Sequence, residues 1–125
     1  MTAPSDGAEL APDPVNQTLS TRLLTTWLHA EGGLLAVKDA TSGRYLHVDA
    51  AMARFFGRPA AELIGRLDSE LFDAVTATAL RAAEQTALAQ QAPLWSEHRL
   101  EWQGQSRDFA VLRAGAGELL GSLWL

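Results

Sequence analysis

Cysteine is absent from all 125 residues, and that single omission removes disulfides, thiolate metal sites and cysteine nucleophiles together. Such a chain suits a reducing compartment, and a cytoplasmic location is expected. Nowhere do 18 consecutive apolar residues occur, and the start MTAPSDGAELAPDPVNQTLS has neither a basic n-region nor an apolar h-region, so neither membrane insertion nor export is indicated. Lys/Arg-rich runs are missing too. With a net charge of -5 and acidic and basic residues interspersed, the segment lacks the electrostatic footprint of a nucleic-acid binder, and no direct nucleic-acid contact is expected from it.

Catalytic motifs are as scarce. The three histidines, His29, His47 and His98, stand far apart, "HVD" and "EH" lack the i, i+4 spacing of a helical zinc pair, and no Ser lies in a Gly-x-Ser-x-Gly elbow. "AGAGELLG" is glycine-rich, but its spacing is not that of a dinucleotide loop and it leads into a strand, so it reads as a hairpin loop. One enzyme reading survives: a small α+β domain with an apolar conical pocket, using Asp49 or Glu97 as base, which requires a buried carboxylate beside a cavity. No metal site and no enzyme are predicted.

What is present organises one domain, for which size scaling predicts burial of roughly two-thirds of the unfolded surface. Residues 1–17, with three prolines and no apolar period, read as a flexible leader. Over 18–32, Leu19, Leu23, Leu24, Trp27 and Leu28 recur at helical spacing before Gly32 and Gly33 stop the helix. That amphipathic helix either covers the edge or back of the domain or supplies a dimer contact.

The domain proper, 33–125, opens with "GLLAVKD" and "RYLHV", two strand-like runs around the turn "ATSG". Simple alternation puts Leu46 and Val48 on the core face and Tyr45 and His47 on the other. Asp49 is placed to cap the helix "AAMARFFG", which turns Met52, Phe55 and Phe56 inward and stops at Gly57. A second short helix runs between Pro59 and Gly65, and "DSELF" makes a third turn capped by Asp68 or Ser69. From Asp73 to Gln91 a longer helix is expected, with Val75, Ala79, Ala83 and Ala87 marking its inner face and Phe72, Leu80 and Leu88 adjoining. After Pro93 come three strand-like runs separated by Gly-containing turns. In the first, Leu94, Ser96, His98, Leu100 and Trp102 alternate against Trp95, Glu97, Arg99 and Glu101.

The order implies an α+β fold: a five-stranded antiparallel sheet with short helices and one longer helix packed on one face, plus the N-terminal helix. Leu46, Val48, Met52, Phe55, Phe56, Leu63, Leu67, Phe72, His98, Leu100, Phe109 and Val111 are the candidate lining of a pocket between short helices and sheet. The plain alternative is that they form a filled core. Trp95 and Trp124, if they face away from the short helices, join Leu19, Leu23, Leu24, Trp27 and Leu28 as a candidate dimer surface.

The ordered set "VKDATSGRYLHVDAAMARFFGRPAAELIGR", "DSELF", a helix, "SEHRLEWQGQSRDFAVLRAG" and "ELLGSLWL" resembles the PAS domain, a sensory module of bacterial signalling proteins, from about Gly33 to Leu125. "LIG" at Leu63 to Gly65 matches that family's helix stop, whereas Asp49 stands where the family usually has Asn, keeping a cap acceptor but losing an amide donor. The resemblance implies a sensory and dimerisation module of a signal-transduction or transcription regulator. It would act as a homodimer, take a small apolar or amphipathic ligand, and relay to an output domain beyond residue 125; a ligand-free interaction module is the alternative. The flavin-cysteinyl adduct of photoreceptor members is excluded by the absence of Cys. Haem-binding members place a His on the long helix, and its absence here speaks against haem.

Overall fold

The structure, a computed structural model, describes the backbone of residues 14–125 and the side chains from residue 18 onward. Residues 1–13 of the expected leader lie outside the described residues. Helix α1 spans Pro14–Ala30, so it begins inside the stretch read as leader, on a proline whose fixed φ suits a first helical turn. At its end Leu28 is buried against Gly33, where an added Cβ would lie 2.2 Å from Leu28 Cδ1. Glycine is required there by close approach rather than by backbone conformation.

Strands β1 (Leu34–Asp39) and β2 (Tyr45–Val48) form the expected hairpin. Three short helices follow, α2 (Ala50–Phe56), α3 (Ala60–Leu63) and α4 (Asp68–Leu71), then the longer α5 (Ala74–Ala89). The chain closes with β3 (Leu94–Trp102), β4 (Gln105–Ala116) and β5 (Leu119–Trp124). The strands make one antiparallel sheet in the order β2-β1-β5-β4-β3. The short helices and α5 cover its inner face, so the α+β architecture is as the sequence predicts.

Local chemistry sets the helix boundaries. Asp49 Oδ1 accepts from Met52 N at 2.8 Å, capping α2, and Gly57 at φ 71° ends it in the left-handed region that only glycine enters freely. Asp73 caps α5 through Thr76 N at 2.7 Å. Helix α4 differs from expectation: Leu67 occupies the cap position, its N–H donates to Glu70 Oε1 at 2.8 Å, and Asp68 is turned inside.

Two faces also differ. In the β1–β2 ladder Val37 pairs with His47 but Lys38 pairs with Tyr45, so Leu46 is the extra residue of a bulge. The bulge breaks alternation: Tyr45 and Val48 are buried, while Leu46 is 45% exposed and leaves the candidate pocket. On α5 the buried face is Thr76, Ala77, Leu80, Glu84 and Ala87, and Val75 is 82% exposed. Alanines weigh little in deciding which face turns inward, and the partner of Glu84 described below decides it.

Candidate functional site

The inner face of the sheet divides into two territories. One is aromatic. Phe55 stacks on Trp102 with ring centroids 5.3 Å apart, Phe56 meets Trp102 edge-on at 5.4 Å, and Phe109 meets Trp124 edge-on at 5.4 Å. The Trp102 Nε1–H donates to Phe55 O at 2.9 Å, fastening the end of β3 to α2. Val48, Met52, Phe56, Leu63, Phe72, Leu100, Phe109 and Val111 are buried in one cluster here, with Phe55 packed at its margin. Of the candidate pocket residues these nine therefore come together, as mutually packed core.

Trp124 belongs to the same cluster and is 3% exposed. It points under the helices, not away from them, and is removed from the candidate dimer surface. So is Leu28, which docks within its own chain. Leu19, Leu23, Leu24, Trp27 and Trp95 are exposed as expected. Trp95 heads a row across the outer sheet face, paired with Leu112, which pairs with Leu123, which pairs with Leu35.

The other territory is charged, and sequence reasoning missed most of it. Lys38 Nζ sits between Asp68 Oδ2 and Glu84 Oε2, 2.5 Å from each, with all three side chains buried. Tyr45 O–H donates to Asp68 Oδ1 at 2.7 Å. Burial, and then the adjacent Asp68 charge, push the Tyr45 hydroxyl well above its ordinary pKa, so it stays a donor. Arg81 Nη1 reaches Glu84 Oε1 at 3.1 Å while its Nη2 donates to Thr41 O at 2.9 Å, tying the β1–β2 loop to α5. A groove of about 300 Å³ opens over this cluster, lined among others by Ser42, Asp68, Ser69, Thr78, Arg81 and Glu84. Half-buried Leu67 lines that groove rather than the aromatic territory.

Arg113 lies on the same inner face and is 2% exposed. Its Nη1 donates to Ser96 Oγ at 2.6 Å and lies 3.1 Å from His98 Nε2. Ser96 Oγ is itself 3.0 Å from His98 Nε2. Burial lowers the Arg113 pKa, against the pull of Glu84, Asp68 and Tyr45. Burial, then the Arg113 charge, lower that of His98, favouring a neutral ring whose Nε2 accepts and whose proton sits on Nδ1. His98 is thus placed where the two territories meet, opposite Phe109 on the β3–β4 ladder and in contact with Ser96 and Arg113.

A signal for these residues existed. Lys38 follows inward Leu34 and Ala36 at period two, Arg113 follows Phe109 and Val111 likewise, and Glu84 lies one turn beyond Leu80. Opposite charges at inward positions of facing elements announce a buried pair.

The enzyme reading loses its residues. Asp49 spends Oδ1 on the helix cap, and its Oδ2 lies 3.0 Å from His29 Nε2 on α1. Glu97 is exposed. Among the described residues no cluster of three or more His, Asp or Glu could hold a metal, and no helix is long and apolar enough to cross a membrane.

A family model described as PAS fold matches residues 28–124, and the chain belongs to that family. Among solved structures, the chain is similar to the PAS domain of the Cronobacter turicensis RpfR quorum-sensing receptor in complex with BDSF. The TM-score is 0.64 at 14% identity, over 74% of this chain and 91% of that one. It is also similar to the PAS domain of Bordetella pertussis BvgS, with a TM-score of 0.59 at 19% identity, over 84% and 82% of the two chains. The photoactive yellow protein domain of the sensor histidine kinase Ppr from Rhodospirillum centenum matches with a TM-score of 0.63 at 15% identity, over 76% and 92%. At such identities these likenesses speak for the fold. No curated protein matches the chain.

Proposed function

We propose that this chain is a sensory and dimerisation domain of a bacterial signal-transduction protein, binding a small apolar or amphipathic molecule and acting without catalysis. The observation that carries the reading is the charged territory under α5. A purely structural core gains nothing from it, because a buried ion-pair cluster can often be replaced by apolar residues at equal or higher stability. Its members bridge β1, β2, α4 and α5, so any change in that interior must be shared among elements that are too short to hold their place alone. The solved relatives support the reading: the RpfR receptor domain is described in complex with BDSF and with C12:0, and others belong to sensor kinases.

The mechanism would be population shift, in which ligand favours one seating of the short helices and α1 or the chain after residue 125 passes that bias to an output domain, with transcriptional regulation the favoured output. Neither haem nor a flavin adduct is part of the proposal, and the domain is placed in the cytoplasm without direct nucleic-acid contact. The exposed side of α1 and the outer row headed by Trp95 supply the homodimer surface. Light scattering of the purified chain should return a dimer, and Leu23→Glu with Trp95→Glu should return a monomer; a wild-type monomer sinks that part. Native and then denaturing mass spectrometry, with an absorbance spectrum, tests the sensor itself. Extra mass released on denaturation supports ligand sensing, whereas a bare protein turns the reading into an interaction module signalling through its surfaces.

A further inference from the structure

Arg113 is the place where the interior is incomplete. Among the described residues its Nη2 is the one buried side-chain nitrogen or oxygen without a hydrogen-bond partner. Buried donors left unpaired are rare in folded proteins. The neighbours that could have satisfied it are committed elsewhere. Asp68 holds Lys38 and Tyr45, Glu84 holds Lys38 and Arg81, and Ser96 and His98 are both engaged by Nη1.

Charge tells the same story. Three cations, Lys38, Arg81 and Arg113, face two carboxylates, Asp68 and Glu84, and His98 is held towards its neutral form. Arg81 is one-third exposed and shares its charge with solvent, so the interior has room for one negative charge at most, and a dianion would overshoot it. The group wanted is therefore a singly charged, acceptor-only group that matches a planar guanidinium, which is a carboxylate. Along β4 from Arg113 the inward residues are Val111 and Phe109, both buried in the core, so a molecule anchored at the guanidinium lays its remainder against them only by parting the helices from the sheet. His98 and Phe109 also line a groove of about 490 Å³ on the β3–β4 ladder, which reaches the cluster at His98 and stops short of Arg113 and Ser96.

We propose that Arg113, flanked by Ser96 and His98, is the anchor for the carboxylate of a monoanionic ligand with an apolar body. This rests on the reading of the chain as a small-molecule sensor and names the class of molecule it senses.

The test titrates the 125-residue chain with straight-chain carboxylates from butanoate to dodecanoate and with the matched primary alcohols, by calorimetry, while recording the arginine side-chain nitrogen resonances. The expected result is an acid that binds at least about tenfold tighter than its alcohol, which is the weight of a single charge-assisted contact, and a shifted Arg113 resonance. Arg113→Gln should abolish that preference and leave alcohol binding within about twofold; should that variant not fold, the wild-type resonance decides alone. Acid and alcohol binding equally would overturn the anchor and leave the sensor reading standing. Acid binding with an unmoved Arg113 resonance overturns the assignment to that residue. No binding by any member, together with a bare mass in native spectrometry, overturns both.

Discussion

Beneath α2 and α3 the inner sheet face presents Phe109, Val111 and Trp124; beneath α5 it presents Lys38 and Arg113. The two territories share strands, burial and even Tyr45, whose ring meets Phe56 edge-on at 6.0 Å while its hydroxyl serves Asp68. They differ in redundancy. Trp102 contacts Phe55, Phe56 and Phe72, so each ring has several neighbours and the loss of one leaves the others in contact. Lys38 is the cation that both buried carboxylates share, with Arg81 left to Glu84 and only the Tyr45 hydroxyl left to Asp68 in direct contact. A dispersion-packed region yields gradually, whereas a region of committed charges fails when one member leaves.

That contrast is sharpest at Lys38. Lys38→Met leaves Asp68 and Glu84 buried without their shared partner, and urea unfolding should show a loss of about 3–5 kcal/mol. Adding Asp68→Asn to it keeps an acceptor for Tyr45 and removes one stranded charge. The double variant should therefore be more stable than the two single losses sum to, with a coupling of about 0.5–3 kcal/mol; strict additivity would break the account of a shared ammonium. Next in size is the cap over the aromatic territory: Asp49→Ala should lose about 0.5–2 kcal/mol, and Asp49→Asn, which retains an acceptor for Met52 N, a smaller amount. Met52→Leu, a volume-conserving change inside the aromatic territory, should cost less than about 1.5 kcal/mol despite complete burial. A loss like that of Lys38→Met would erase the distinction between the two territories.

The smallest effect is a slope. Burial and Arg113 depress the pKa of His98 in the folded state, so below about pH 6.5 the unfolded chain takes up a proton that folded His98 resists. Its contribution is therefore present above the unfolded pKa and is lost as pH falls from there towards the lower folded pKa. Unfolding midpoints recorded between pH 7.5 and 5 should fall less steeply for His98→Gln than for wild type. Equal slopes would mean that Arg113 and His98 do not share the environment assigned to them.

The sequence revealed most where local rules act alone. Asp49, Gly57 and the strand order could be read because capping, left-handed glycine and apolar alternation each depend on a few neighbouring residues. It misled at Tyr45 and Leu46, where a one-residue bulge turns the first inward and the second outward, leaves His47 and Val48 as alternation has them, and leaves no mark in composition. Trp124 was misassigned because alternation along "LLGSLWL" does not say which face of the sheet the helices will cover. Lys38, Asp68, Glu84 and Arg113 escaped for a different reason. Charged residues are expected outside, and what reverses that expectation is the presence of partners 30 and 46 positions away in the chain.

The Asp49 carboxylate has one further property. It is a rigid plane with one oxygen committed to α2 and the other to His29 at the end of α1. Turning that plane to follow either helix withdraws it from the other, so the seating of α2 above the rings and the bearing of α1 outside them are registered on a single torsion. A tilt of α2 that carries Asp49 with it would therefore change the His29 contact, and a reporter at His29 would read it from outside.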